Sequence, residues 1–249
     1  MTASPGNRPV SGSAGPPRLS IRQPEAGGYR FSIDSVLLAG FAAPHCRGTV
    51  LDLGTGCGIL LLLLSKLSTE TVSGAGVERQ EELLACAREN FRANGFEDSL
   101  RAVEGDFRGE IPGVERGAFD LVVSNPPYGR LGRGRRNPDP GKEAARHEVA
   151  CSLPELFAAA RRYLAPRGRF ALILPADRLP EIMDCARREG LRGESFRAVR
   201  PREGSPPNRI LYCASREGSG AARALPPLVL HGVREKYCPE VERICRLFR

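Results

Sequence analysis

The chain alternates between short apolar runs and longer segments in which apolar residues recur at helical spacing. Seven segments have the length and composition of strands: residues 49–54, 71–78, 99–106, 119–127, 169–175, 194–200 and 208–215. Five segments have helical periodicity: residues 34–42, 58–68, 79–95, 152–168 and 179–190. Strands that alternate with helices of this length predict an α/β fold, with a doubly wound, mostly parallel, seven-stranded sheet covered by helices on both faces.

Composition divides the chain into a short tail and one domain. Residues 1–20 are rich in Pro, Gly and Ser and contain few large apolar side chains, which predicts a flexible tail. Residues 21–249 are numerous enough to bury one full core, so we expect them to form a single domain. The first helix of that domain begins near Ser32 or Asp34, either of which is a favourable N-cap residue.

Positive charge is concentrated in two segments of the chain. The formal net charge is +8; residues 1–30 contain four arginines and one glutamate, and residues 130–146 contain six basic and two acidic residues. The rest of the chain is therefore nearly neutral. A local excess of positive charge indicates an acidic partner, most often a nucleic acid.

The cysteines and the hydropathy pattern exclude several classes of protein. The eight cysteines form no Cys-x-x-Cys pair and do not cluster with the three histidines, which argues against a zinc site and a disulfide framework. Reduced, mostly buried thiols are the simpler interpretation. The N-terminal segment lacks an apolar stretch of the secretory type, and no apolar run of 18 residues occurs. We expect a monomeric cytoplasmic protein that has no metal and does not enter the membrane.

The sequence "LDLGTGCG" at residues 51–58 joins a predicted strand to a predicted helix. Its glycines at alternate positions, Gly54, Gly56 and Gly58, allow a sharp turn and a close approach of the backbone to a ligand. The helix that follows begins with N–H groups that have no partner within the helix. Because a single glycine-rich loop is weak evidence, its meaning depends on the ends of the neighbouring strands.

Two of those strands end in acidic residues. Glu78 ends the second strand, where doubly wound folds place a carboxylate that accepts the ribose hydroxyls of a nucleotide. Asp106 ends the third strand and Phe107 follows it, a pair suited to hydrogen-bonding and stacking on a purine. Either acid alone is more simply a solvated strand end. With the glycine-rich loop, they predict a nucleotide site at the carboxyl edge of the sheet.

The sequence "SNPPYGRLGRGRR" at residues 124–136 follows the fourth strand. Its first part is stiff because proline fixes one backbone torsion, and prolines often end a strand in a turn with no further role. Its second part is a run of arginines and glycines. We expect contacts with an RNA backbone from the basic residues of this region: Arg130, Arg133, Arg135, Arg136, Lys142 and Arg146.

The chain carries three features in a fixed order: the glycine-rich loop, the two strand-end acids and Asn-Pro-Pro-Tyr. With these features in this order, it resembles the class I S-adenosylmethionine-dependent methyltransferases that modify planar nitrogens. The resemblance implies a Rossmann-like methyltransferase fold and S-adenosylmethionine as cofactor. It also implies that the Asn125 side-chain oxygen and the Pro126 carbonyl accept the N–H bonds of the substrate nitrogen, while Tyr128 stacks on the substrate. The implied catalytic residues are Asn125, Pro126, Pro127 and Tyr128. The expected cofactor-binding residues are Asp52, Gly54, Thr55, Gly56, Cys57, Gly58, Glu78, Asp106, Phe107 and Asn125.

Within this class, the segments "GYRFSIDSVLLAGF", "FDLVVSNPPY" and "AARHEV" are most similar to the bacterial tRNA1(Val) adenine-N6 methyltransferases. That resemblance implies methylation of the N6 amine of an adenine beside the anticodon. Cys57 stands where threonine or serine is commoner, and residues 129–143 are unusually rich in Gly and Arg, so the RNA specificity is open. Alternatives are an rRNA guanine-N2 methyltransferase, a catalytically inactive fold that binds only RNA or a partner, and a release-factor glutamine-N5 methyltransferase, although that last group carries a larger helical N-terminal domain.

Overall fold

The computed structural model describes residues 18–24, 32–126, 152–218, 220–232 and 236–248. Within these ranges, eight strands form one sheet: β1 (Thr49–Leu53), β2 (Ser73–Glu78), β3 (Leu100–Glu104), β4 (Phe119–Ser124), β5 (Leu164–Pro175), β6 (Arg192–Arg200), β7 (Arg209–Ser215) and β8 (Arg223–Val229). Their order across the sheet is β3-β2-β1-β4-β5-β7-β6-β8. Strands β1 to β5 run parallel, β7 is antiparallel to β5 and β6, and β8 is parallel to β6. The strand order reverses between β1 and β4, which is where open α/β sheets bind ligands.

Helices cover both faces of the sheet. They are α1 (Ile33–Ala42), α2 (Ile59–Leu67), α3 (Glu81–Ala93), α4 (Leu153–Tyr163), α5 (Leu179–Arg188) and α6 (Pro239–Cys245). One buried apolar cluster packs the sheet against α1, α2, α3 and α6, and a second packs it against α4 and α5. Along β1, Val50 belongs to the first cluster and Leu51 to the second, because successive strand residues point to opposite faces. The predicted doubly wound α/β fold is confirmed.

Two helix starts show how local sequence sets the boundaries. Ser32 caps α1, where its hydroxyl oxygen accepts the Asp34 N–H at 3.3 Å. Asp34 instead lies in the first turn, and its carboxylate accepts a hydrogen bond from the Arg209 guanidinium at 3.1 Å. At α4, Ser152 and Glu155 form a capping box in which each side chain bonds the backbone N–H of the other.

The sheet has eight strands among the described residues, whereas the sequence predicts seven. The extra strand, β8, pairs with β6 at the edge of the sheet, and its register shifts between Arg197 and Val199 of β6. Two consecutive prolines, Pro226 and Pro227, hid it, because proline lacks the N–H that a strand ladder uses and is tolerated at edges and bulges. The predicted helix 152–168 also ends early, at Tyr163, since Leu164 begins β5 opposite Phe119.

The predicted tail, residues 1–20, lies outside the described residues up to position 17. Of its last residues, Leu19 is buried, and its N–H donates to the Leu247 carbonyl at 2.6 Å. Contacts with the body of the protein therefore begin before the predicted boundary at residue 21. The division into a tail and a single domain stays a prediction.

The described ranges also show the lengths of the helices, the grouping of possible metal ligands and the state of the cysteines. Within these ranges, every helix is too short or too polar to span a lipid bilayer. The same residues contain no group of three or more His, Cys, Asp or Glu side chains arranged to hold a metal ion. The cysteines in these ranges form no disulfide bond with one another, and most of them are buried.

Candidate active site

The loop between β1 and α2 is shaped by backbone bonds to the next strand. Its three glycines have positive φ, +78° at Gly54, +57° at Gly56 and +81° at Gly58, a region that favours glycine. The Gly54 N–H donates to the Val77 carbonyl of β2 at 3.0 Å. A Cβ atom on Gly58 would lie 2.6 Å from the Phe91 ring of α3. The glycines therefore permit both the turn and the close packing of α3 beneath it.

Glu78 lies buried at the end of β2 and joins this loop to α3. Its Oε2 accepts the Gly56 N–H at 3.0 Å. Its Oε1 accepts the N–H groups of Arg79 and Gln80 at 3.0 and 2.9 Å, just before α3 begins. Oε2 accepts this single hydrogen bond from the described residues, which leaves a lone pair for a hydroxyl donor.

Asp52 of β1 is a buried carboxyl group directly before the glycine-rich loop. Burial raises its pKa from 3.8 to about 7; the hydrogen bond from the Thr55 hydroxyl opposes that rise, and the nearby Glu78 charge adds to it. The Thr55 hydroxyl donates to Asp52 Oδ2 at 2.7 Å. Thr55 fits against β2 because position 76 is glycine, where a Cβ atom would lie 2.5 Å from the Thr55 Oγ1. A cation placed beside this loop would favour the ionised form of Asp52.

Asp106 and Phe107 follow β3, where the structure gives them different surroundings. The Asp106 carboxylate is engaged by two arginines: Arg108 Nε lies 2.9 Å from each oxygen, and Arg79 Nη1 lies 3.4 Å from Oδ2. The Arg108 hydrogen bond is the main cause that lowers the pKa of Asp106 to about 2. Phe107 is partly buried, and its Cε1 lies 4.0 Å from the place that a Cβ atom on Gly54 would occupy. The ring therefore lies against the glycine-rich loop.

Asn125 follows β4, which is tied to β1 at this point. The Ser124 hydroxyl donates to the Leu53 carbonyl at 2.7 Å. Asn125 Nδ2 donates to the hydroxyl oxygen of Ser35, a buried residue of α1, at 3.0 Å. Because the amide nitrogen is directed to α1, the other branch of the amide, Oδ1, is directed away from Ser35. Pro126 is buried beside it.

The structure thus brings several predicted residues to one edge of the sheet. Asp52, Glu78 and Asn125 lie at the carboxyl ends of β1, β2 and β4, which are neighbours in the sheet. Cys57 lies in the same loop, buried, which raises the pKa of its thiol to about 11. The remaining predicted residues lie outside the described ranges: Pro127, Tyr128, Arg130, Arg133, Arg135, Arg136, Lys142 and Arg146.

Comparison with known protein families decides the class of this fold. The sequence model of the methyltransferase small domain matches residues 32–178, more than half of the chain. The chain belongs to the methyltransferase small domain family. The match spans the glycine-rich loop, the strand-end acids and Asn125. The resemblance stated from the motifs is therefore confirmed at the level of the family.

One curated relative is similar in sequence over most of the length of both chains. It is the tRNA1(Val) (adenine(37)-N6)-methyltransferase of Parabacteroides distasonis, 32% identical over 220 residues, which cover 86% of this chain and 88% of the relative.

Solved structures share the fold at low sequence identity. A predicted O-methyltransferase from Agrobacterium tumefaciens has a TM-score of 0.66 and 21% identity, and the match covers 86% of this chain and 96% of that one. Geranyl diphosphate C-methyltransferase from Streptomyces coelicolor, solved with Mg²⁺, geranyl diphosphate and S-adenosyl-L-homocysteine, has a TM-score of 0.54 and 14% identity, and the match covers 72% of this chain and 79% of that one. Both support the sheet topology described above.

Two residues of this methyltransferase small domain were missed by the sequence analysis. Ser35 is an ordinary residue in an apolar helix, and its contact with Asn125 spans 90 positions of the chain. Asn90 is buried in α3 on the face that carries Leu83 and Ala87. A polar residue at the spacing of the apolar ones is the feature that could have identified Asn90.

Proposed function

We propose that this methyltransferase transfers a methyl group from S-adenosylmethionine to the N6 amine of an adenine in tRNA. The observation that carries the proposal is the placement of Asn125 at the switch point of the sheet, beside the glycine-rich loop, with its amide held by Ser35. The curated relative with 32% identity, which acts on adenine 37 of tRNA1(Val), supports the choice of base and of RNA.

The residues around the loop fit such a cofactor. S-adenosylmethionine supplies a reactive methyl group on a positively charged sulfur. Glu78 Oε2 has a free lone pair for a ribose hydroxyl, and Phe107 offers a flat apolar surface next to Gly54. Asp52, buried directly before the loop, supplies negative charge to a cation and becomes more fully ionised when one is present. The structural neighbour solved with S-adenosyl-L-homocysteine supports this choice of cofactor.

The chemistry required of the protein is mainly positioning. The lone pair of an exocyclic amine on adenine is delocalised into the ring, so the amine is a weak nucleophile. Two acceptors on its N–H groups, Asn125 Oδ1 and the Pro126 carbonyl, would hold the nitrogen in place and favour a localised lone pair. Tyr128 would stack on the base and keep its plane at the correct angle. None of these residues forms a covalent intermediate.

The basic segment after Asn125 suits an RNA substrate. Its cations at residues 130–146 follow directly on the residues that would hold the base, so they would contact phosphates on either side of it. We further propose that the protein acts as a monomer in the cytoplasm, where its tRNA substrate is found.

The proposal is tested by incubating the protein with tRNA and methyl-labelled S-adenosylmethionine, followed by mass spectrometry of the nucleosides. The expected product is N6-methyladenosine. Label on guanine N2 or on a protein glutamine would contradict the proposed substrate. Asn125→Ala should lower turnover by about 100-fold or more, the scale seen when one preorganised hydrogen-bonding group is removed from a reacting centre, and should leave cofactor affinity within about twofold. Undiminished turnover in this variant would contradict the role given to Asn125.

A further inference from the structure

The side chain of Asn90, buried in α3, connects two segments that are far apart in sequence. Its Oδ1 accepts the Arg22 N–H at 2.6 Å, and its Nδ2 donates to the Arg22 carbonyl at 2.9 Å. The same Nδ2 donates to the Cys57 carbonyl in the glycine-rich loop, also at 2.9 Å. Both amide hydrogens and the amide oxygen are thus used, and residues 18–24 are joined to the loop through one side chain.

The bond to Cys57 restrains one peptide group of the loop from both sides. The carbonyl of the Cys57–Gly58 peptide accepts from Asn90, and its N–H, on Gly58, donates to the Thr55 carbonyl at 3.0 Å. This peptide lies directly before α2, and Gly58 is the N-cap residue of that helix. Its orientation therefore influences the direction of the unpaired N–H groups that begin α2.

A second asparagine, one helical turn later, holds the same N-terminal segment without reaching the loop. Asn94 Oδ1 accepts the Ser20 N–H at 2.9 Å, and its Nδ2 donates to the Ser20 carbonyl at 2.8 Å. Its other donor bond goes to the Asn90 carbonyl within α3, at 2.7 Å. Asn94 thus repeats the contact of Asn90 with residues 18–24, and it serves as a matched control for that contact.

We propose that Asn90 is a positioning residue for the cofactor, and that it acts by holding the Cys57–Gly58 peptide in the orientation in which the loop binds. The inference rests on the proposed function only in taking S-adenosylmethionine as the ligand of this loop. Without Asn90, the Cys57 carbonyl would be a buried acceptor that lacks its partner, and the loop would relax towards conformations that satisfy it.

The test compares the affinity of Asn90→Ala, Asn94→Ala and the unmodified chain for S-adenosylmethionine by titration calorimetry, well below the thermal midpoint of each. Asn90→Ala should weaken binding about tenfold, whereas Asn94→Ala should stay within about twofold although both variants lower the melting temperature. In steady-state assays, Asn90→Ala should raise the KM for the cofactor with little change in kcat.

Equal losses of affinity in the two variants would overturn the proposal, because the N-terminal segment rather than the loop bond would then be responsible. Unchanged affinity in Asn90→Ala would overturn it as well. If Asn90→Ala does not fold, Asn90→Asp keeps the size of the side chain and an acceptor for the Arg22 N–H. Its second oxygen carries at most one proton, so it cannot donate to the Arg22 and Cys57 carbonyls together, and weaker binding than in Asn94→Ala is expected. Failure of the unmodified chain to bind S-adenosylmethionine would instead contradict the proposed function, and the two failures are thereby distinguished.

Discussion

Replacing Asp52 by asparagine should change how stability depends on pH. Asparagine keeps the size of the side chain and an oxygen that accepts the Thr55 hydroxyl, but it cannot ionise. Burial raises the pKa of Asp52 from 3.8 to about 7 in the folded chain. Between these two values the folded state binds more protons than the unfolded state, so ionisation of Asp52 reduces stability as pH rises through this window.

The magnitude follows from the size of that shift. A difference of about three pKa units corresponds to about 4 kcal/mol, lost progressively from about pH 4 and complete above about pH 7. Roughly 2.5 kcal/mol of it falls between pH 5 and pH 8. Over that range, the free energy of unfolding of the original chain should decrease by this amount relative to the Asp52→Asn variant.

Urea denaturation of both proteins at pH 5, 6, 7 and 8 measures the difference. Asp106→Asn is a suitable control, because the pKa of Asp106 is lowered to about 2 and this group is ionised in both states throughout the range. Its effect on stability should therefore be the same at all four pH values. A difference between the original chain and Asp52→Asn that varies by less than about 1 kcal/mol from pH 5 to pH 8 would refute the argument from burial.

Two further variants test other parts of the site. Ser35→Ala should lower the single-turnover methylation rate about tenfold, because Asn125 loses a bond that orients its amide, and it should keep cofactor affinity within about twofold. A rate equal to that of the original chain would show that this bond has no role in the reaction. Replacement of Arg133, Arg135 and Arg136 by serine should weaken tRNA binding. Fluorescence anisotropy at several salt concentrations should show that the slope of log K, for the tRNA association constant, against log salt concentration becomes smaller in magnitude by about two. An unchanged slope would exclude phosphate contacts by these three arginines.

The order of helices and strands was predictable because each apolar run is short and each amphipathic segment is long enough to be distinguished from it. The boundary between α4 and β5 was not, since apolar residues continue across Tyr163 and Leu164. Leu164 enters the sheet because it pairs with Phe119, a residue that is distant in sequence. Local periodicity carries no information about such a partner.

The candidate site was predictable where topology alone brings residues together. Glu78 and Asn125 lie at the carboxyl ends of β2 and β4, the two parallel strands that flank β1, so their proximity to the glycine-rich loop after β1 follows from the sheet order. Ser35 and Asn90 were missed because their importance lies in single hydrogen bonds made across the fold. The engagement of Asp106 by Arg79 and Arg108 was missed for a related reason: exposed arginines near a carboxylate are common, and sequence does not show which ones turn towards it.

The prolines of β8 also bear on whether another strand can add to this edge of the sheet. An open sheet edge with a regular row of N–H and C=O groups is a template on which another chain can add a strand. At one edge, Pro226 and Pro227 interrupt that row, since neither has an N–H to donate. At the opposite edge, β3 carries the exposed charged residues Arg101 and Glu104, which oppose the approach of a second strand. Among the described residues, both edge strands therefore carry features that oppose the edge-to-edge association that leads to aggregation.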